Sequence, residues 1–484
     1  MKQESTTHLA EKQTHMLEQP VSMLVLRLSL PCMASMLISA LYNMADTYFV
    51  SSLGTSATAA IGIVFSLMNI IQAVGFFFGH GSGNYMSRQL GAGDFAGARQ
   101  MASMSLGLSL TVGMLISVSG LVFLDPLVNA LGATVTIAPF AKDYMRWILI
   151  GAPFMTGSFT LNNQLRYEGN AAYGMVGMVS GAVLNTALDP LLIFVFRMGT
   201  SGAGISTMLS QALGFCILLH GTTRKGAVKI SIKDMKPTAR LVKELFRGGT
   251  PSLFRQGLAG FTAAALNRTA AGFGDAAVAA ISIVQRFTML VYSCVLGFGQ
   301  AFQPVCGFNY GAKRYSRVRK AFWFCVKLST LVLVCLAALG AVFAPQIVQF
   351  FNKEDNPLVS EIGTAYLRYC CITIPLFGFF IITNMCTQTI GDAVKASFLA
   401  IARQGVFMIP LLFILPRLLG LRGLEMIQMS SDILSCLCGF IIGILTDRKM
   451  KRLAAEAELI ITNNSQKTMK NDENACNLSQ DVIK

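Results

Sequence analysis

Leu53-Gly54-Thr55-Ser56-Ala57-Thr58-Ala59-Ala60-Ile61-Gly62-Ile63 returns 220 positions later as Phe273-Gly274-Asp275-Ala276-Ala277-Val278-Ala279-Ala280-Ile281-Ser282-Ile283, with six of eleven positions identical and no gap. The same offset carries Arg27 and Pro31 onto Arg247 and Pro251, and Gly91-Ala92 onto Gly311-Ala312. It also carries Arg99 onto Arg319 and Asp189-Pro190-Leu191-Leu192 onto Ile409-Pro410-Leu411-Leu412. The chain is a duplication. Two homologous halves, if both lie in a bilayer, are the expected build of a secondary transporter with its substrate site where the repeats meet.

Composition puts both halves in a bilayer. Hydrophobic residues make up 53% of the chain and charged residues 13%, against about 25% charge in an average soluble domain. Mean hydropathy is +0.57. Crossing ~30 Å of hydrocarbon takes about 20 apolar residues, and twelve stretches qualify: 23–50, 57–79, 101–124, 138–160, 173–196, 202–221, 249–271, 277–305, 321–345, 361–390, 394–416 and 424–446. Six fall in each half. The expected fold is therefore an all-α integral membrane protein of twelve transmembrane helices.

An even number of spans returns the chain to its starting side, so the second half inserts in the same orientation as the first and the two six-helix repeats are parallel. Lys and Arg concentrate in cytoplasmic loops. Here they gather between the halves (Arg224, Lys225, Lys229, Lys233, Lys236, Arg240, Lys243, Arg247), after the eighth span (Lys313, Arg314, Arg317, Arg319, Lys320) and after the twelfth (Arg448, Lys449, Lys451, Arg452). All three places are on one face. The expected organisation is a cytoplasmic segment 1–19, an N-lobe 20–221, a basic cytoplasmic linker 222–247, a C-lobe 248–446 and a disordered cytoplasmic tail 447–484. The net charge of +15 reads as a topology signal, and nucleic-acid binding is excluded. Residues 1–19 lack the pattern of a signal peptide. Twelve cysteines are mostly scattered through apolar stretches without paired metal spacing, and Cys436 and Cys438, two apart on a helix, face different ways.

Ionisable residues within hydrocarbon cost about 2.5 to 3.5 kcal/mol on insertion scales and are functional candidates by default. Asp46 lies toward the outer end of the first span, and Asp189 lies in the fifth with Asn185 four residues before it on the same helical face. Pro190 follows, freeing a carbonyl of the preceding turn and able to kink the helix. In the second copy the positions of Asp46, Asn185 and Asp189 hold Leu266, Gly405 and Ile409. Packing roles would recur in both copies, so the asymmetry points to a cation or proton site confined to the first half. Two carboxylates in a poorly hydrated pocket cannot both stay ionised, so the pair could hold H+ or Na+.

Three segments carry a family resemblance: Leu41-Tyr42-Asn43-Met44-Ala45-Asp46-Thr47-Tyr48-Phe49-Val50 followed by Leu53-Gly54, Ser87-Arg88-Gln89-Leu90-Gly91-Ala92-Gly93-Asp94, and Gln303-Pro304-Val305-Cys306-Gly307-Phe308-Asn309-Tyr310-Gly311-Ala312. Over residues 20–450 the chain resembles the multidrug and toxic compound extrusion (MATE) family, nearest its bacterial members. The resemblance implies a twelve-helix antiporter in the cell membrane that exports small organic cations in exchange for H+ or Na+, with no other cofactor. It implies a coupling site at Asp46, Asn185, Asp189 and Thr207, with Na+ at Asp46 and Asp189 if sodium is the ion. Tyr42, Tyr144 and Asn162 are implied as neighbours, and a bend of the first span at Pro31. Glu425 and Asp432 in the twelfth span are candidates for contact with a cationic substrate. Arg255, Arg268, Arg286 and Arg403 could line the second half, but buried positive charge would repel a cationic substrate, so they read as helix-end residues; Glu168 reads as part of a cytoplasmic turn. A monomer is expected.

Three rival readings remain. A flippase for a lipid-linked oligosaccharide needs a cationic cavity for pyrophosphate. A major facilitator carrier would place the Gly443–Lys449 loop motif after its second span. A channel or receptor would not need duplicated halves. No phosphate loop, zinc ligand set or nucleophile elbow marks an enzyme.

Overall fold

The computed structural model describes residues 2–224, 226–352 and 356–481, and the side chains at 2–6, 40, 42–48, 51, 55 and 460–481 lie outside that description. Every regular element among the described residues is helical. The first half comprises α1 (Lys2–Glu18), α2 (Val21–Ser51), α3 (Thr55–Ala92), α4 (Phe95–Val122), a short α5 (Leu124–Ala130), α6 (Ala138–Tyr167), α7 (Ala171–Pro190) continued by a π-helical turn Leu191–Val195, and α8 (Gly199–Gly221). The second half repeats the order: α9 (Ala239–Ala271), α10 (Asp275–Gly311), α11 (Tyr315–Val342), a short α12 (Ala344–Phe351), and α13 (Pro357–Thr373) joined to α14 (Phe377–Thr389) by a 3-10 turn. It ends with α15 (Ala393–Ile401), a π-helical turn Ala402–Phe407, α16 (Met408–Leu419) and α17 (Leu421–Asp481).

The duplication reaches the backbone. α3, α4 and α5 begin at Thr55, Phe95 and Leu124, and their counterparts begin 220 residues on at Asp275, Tyr315 and Ala344. Gly54 caps α3 at φ 114° and Gly274 caps α10 at φ 99°. Both lie in the region only glycine enters without strain.

Among the described residues, ten helical segments are long and apolar enough to cross a membrane. Helices α6 and α9, of 30 and 33 residues, are long enough but more polar. The polarity of α6 follows from its place, since it packs against α3, α4, α7 and α8 and is buried along most of its length. The basic run Arg240–Arg247, expected in the linker, forms the first turns of α9. Helix α17 continues past the last apolar stretch, where an Arg452–Glu456 pair at 2.8 Å lies one turn apart.

Each half has its own core. Val64, Leu67, Met145 and Leu149 belong to that of the first, and Ile281, Val284, Tyr366 and Ile427 to that of the second. A third core joins the halves, built from the start of α2 (Leu24, Val25, Leu28), the ends of α3 and α10 (Phe77, Met86, Phe302, Val305) and the start of α9 (Leu241, Leu245). All lie at the end of the molecule that carries the basic loops. Across the seam α2 packs on α10 and α9 on α3, which are the same contact under exchange of the repeats. At its centre Gly91 meets the main chain of Phe308, Gly311 meets that of Arg88, and Ser87 faces Gly307. Because 88 and 308, 91 and 311, and 87 and 307 are each 220 apart, a pseudo-two-fold axis passes between these residues. Helix α1 covers this end, with Gln13 Nε2 donating to Gly91 O at 2.9 Å and Arg314 Nη1 donating to Leu17 O at 2.8 Å.

Candidate functional site in the first half

Helices α7 and α8 run side by side, and their inner faces bring the polar residues together. Asn185 and Asp189 are buried, as are Ser206 and Thr207 opposite them. Asn185 Nδ2 lies 3.0 Å from Ser206 Oγ, 3.4 Å from Thr207 Oγ1 and 3.4 Å from Asp189 Oδ1, while Ser206 Oγ donates to Asn185 O at 3.1 Å. An amide nitrogen has two hydrogens and here faces three acceptors. Its own Oδ1 has no hydrogen-bond partner among the described residues. The result is a buried nest of oxygen atoms gathered around the Asn185 amide nitrogen, one of them from the Asp189 carboxylate, and carboxylate, hydroxyl and amide oxygens are the hard donors that suit a proton or an alkali cation. Ser206 is the member that sequence reading missed, and its place beside Thr207 on a glycine-rich helix was the available signal.

A narrow cleft lies one helical turn away along the same faces, lined by Gly181 and Ala182 of α7, Ser210 and Gln211 of α8, Ser39 of α2 and Gln72 of α3. Position 46 is two turns beyond Ser39 along α2, which packs against α7. The side chains of Asp46 and Tyr42 lie outside the described residues. Pro190 introduces the π-helical turn Leu191–Val195, and α2 runs through Pro31 as one helix, with Ser35 Oγ returning to Pro31 O at 2.8 Å.

Other expected site residues sit elsewhere. Asn162 Nδ2 donates to Gly174 O at 2.9 Å, eleven residues or about 16 Å along α7 from Asn185, so it ties α6 to α7 and is no neighbour of the nest. Tyr144 is wholly buried with its hydroxyl toward Met68 Sδ at 3.8 Å. Asp432 does not await a cation: Arg403 Nε donates to its Oδ1 at 2.8 Å, Gln428 Nε2 to the same oxygen at 2.9 Å, and Thr373 Oγ1 to Oδ2 at 3.3 Å. Arg403 is accordingly not a helix-end residue but the centre of a buried ion pair in the π-helical turn, and the second half is less apolar than its twin positions suggested. Arg255 also stands mid-helix, bonded to Asn384 Oδ1 at 3.0 Å. Arg268 does close α9. Glu425 is buried seven residues before Asp432, on the same face of α17.

A second polar cluster was not foreseen. Arg166 belongs to the last turn of α6 and not to the loop, is buried, and places Nη2 at 2.6 Å from Asn163 Oδ1 and 3.3 Å from His80 Nε2. A guanidinium only donates, so Nε2 accepts, and His80 Nδ1 carries the proton toward Phe76 O at 3.2 Å. The turn after Arg166 is where Glu168 was expected. It accepts from Val228 N–H at 2.8 Å and faces Lys12 Nζ at 3.8 Å.

Comparison with known proteins agrees with the duplication and the fold. The MatE family profile matches twice, over residues 31–191 and 251–414. The multidrug export protein MepA of Staphylococcus haemolyticus is 28% identical over 447 residues, covering 92% of this chain and 97% of that protein. MepA of Staphylococcus aureus is 29% identical over 437 residues, covering 89% and 95%. A solved outward-facing multidrug resistance MATE transporter of the MOP superfamily superposes with a TM-score of 0.85 at 29% identity, covering 91% of this chain and 98% of that one. Members of this group are transporters, not enzymes, and the chain belongs to the MATE family.

Proposed function

We propose that the protein exports small organic cations across the cell membrane in exchange for H+ or Na+, by alternating access between two parallel six-helix lobes. The twelve long helices, the 220-residue offset and the exchange-related seam support this architecture. The basic loops support cytoplasmic termini, and the halves join at the end that carries those loops, which in this reading leaves the cavity open outward. A monomer holds the complete pair of lobes.

The observation that carries the reading is the buried nest of Asn185, Asp189, Ser206 and Thr207 one turn from a cleft. Ion uptake at Asp189, with Asp46 as its partner carboxylate, changes the charge that faces a cationic substrate and biases the lobes toward the other orientation. The membrane potential adds about 2.3 kcal/mol per charge per 100 mV if net charge moves. Asp189→Asn and Asp46→Asn are each expected to reduce ethidium export from proteoliposomes at least tenfold under an imposed pH or sodium gradient. Export at the native rate in either variant removes that residue from coupling. Comparing the two gradients one at a time identifies the ion.

A further inference from the structure

Whereas the first-half cleft has no charged lining residue, the second half contains a cavity lined by two cations. Among its lining residues are Arg255 of α9, Tyr292 of α10, Asn384 of α14, and Arg403 and Gln404 of the π-helical turn, with Phe380 at one wall, and no lining residue is acidic. The two cations are not equivalent. Arg403 is neutralised by Asp432 at 2.8 Å and sandwiched against Phe377 and Tyr292, at 4.4 and 5.0 Å from their ring centroids. Arg255 is bonded only to neutral oxygens, Asn384 Oδ1 at 3.0 Å and Ser252 Oγ at 3.3 Å, and no described carboxylate pairs with it. Asn384 is itself fixed, since its Nδ2 donates to Ala396 O at 2.8 Å. Two of the five guanidinium N–H groups are thus used, and the fork is held in one orientation. Gln404 Oε1, buried at the same cavity, also lacks a hydrogen-bond partner among the described residues.

A cation kept at bilayer depth without a counter-charge is a functional residue by its cost alone, and a planar fork matches a carboxylate with two parallel bonds. We propose that this cavity is an anion subsite, in which Arg255 binds the carboxylate of transported molecules whose cationic group is directed toward the first half. The chemical class is the zwitterionic aromatic amphiphile, held across both lobes by charges of opposite sign. The inference rests on the export reading above.

A matched pair of dyes tests it. Rhodamine 6G is the ethyl ester of rhodamine 19, so the first is a cation and the second, otherwise alike, is a zwitterion at neutral pH. Binding of each to the full-length protein in phosphatidylcholine nanodiscs gives an affinity ratio of free acid to ester. Arg255→Gln is expected to lower that ratio about tenfold, and Arg255→Lys, which keeps the charge but loses the fork, about threefold. A ratio unchanged in both variants overturns the subsite. Loss of folding in the Gln variant leaves the Lys variant to decide. A preference for the free acid that disappears when phosphatidylglycerol is added assigns the site to a lipid headgroup and overturns its assignment to the transported molecule. Failure of the wild-type protein to export rhodamine 6G from energised proteoliposomes counts against the export reading, independently of the ratio.

Discussion

Asp432 and Asp189 are both buried acids in spans, yet their surroundings give them opposite fates. Asp432 accepts from three donors, one of them Arg403, and removing one partner of such a pair leaves the other charge buried and alone. Asp432→Asn is expected to destabilise the protein by about 3 to 5 kcal/mol, read as a lowered thermal midpoint in detergent, and adding Arg403→Gln should recover most of the loss. Glu168, at the turn after α6, gives a pH signature. Burial holds its carboxyl above the ordinary 4.5, opposed by Lys12 and the Val228 N–H. The folded state therefore binds this proton more tightly than the unfolded one, and stability falls as pH rises from 4.5 through the raised value, then stays level. Glu168→Gln keeps an acceptor for Val228, so thermal melts should show a higher midpoint at pH 7, no gain at pH 4 and a flatter profile between. The acids stood out in the sequence because a carboxylate in an apolar run is costly and must find either a partner or a function. Their partners did not, because Arg403 and Asp432 are 29 residues apart and only the folding of α15 to α17 brings them together.

Helix positions were legible from the apolar runs, but several helices continue well past them through polar residues, as α3 does from position 79 to Ala92 and α9 does back from position 249 to Ala239. The two π-helical turns, Leu191–Val195 and Ala402–Phe407, were not legible, because widening a helix by one residue leaves the hydropathy pattern intact. Duplication exposes one strained connection. Gly93 ends α3 at φ 81°, whereas its counterpart Lys313 follows α10 at φ 58°. A left-handed conformation costs a residue with Cβ about 1 to 2 kcal/mol. Lys313→Gly should raise the thermal midpoint, an effect absent for Lys320→Gly, where the chain is in regular helix and glycine is expected to cost stability.

The seam between halves sets what the whole molecule can do. Arg88 spans it, with Nη1 donating to Thr389 O at 2.7 Å and Nη2 to Glu244 Oε2 at 2.9 Å. Cys306, on the joining core, is fully buried. If opening toward the basic loops parts this core, Glu244→Gln should increase maleimide labelling of a variant retaining only Cys306 by several-fold, and an unchanged labelling rate would show that the ion pair does not hold that end shut. The all-helical duplicated fold was readable from repetition and hydropathy, but which end is closed was not, since the alternate states of a transporter share one sequence. The crossing of α3 and α10 at Ser87, Gly91, Gly307 and Gly311 has main chain against main chain, with no long side chains between the helices at that point. Rods touching that way can tilt but have little room to slip, so the crossing acts as a fulcrum. In the alternating access proposed above, the lobes would move as the two arms of a seesaw, one mouth narrowing as the other widens.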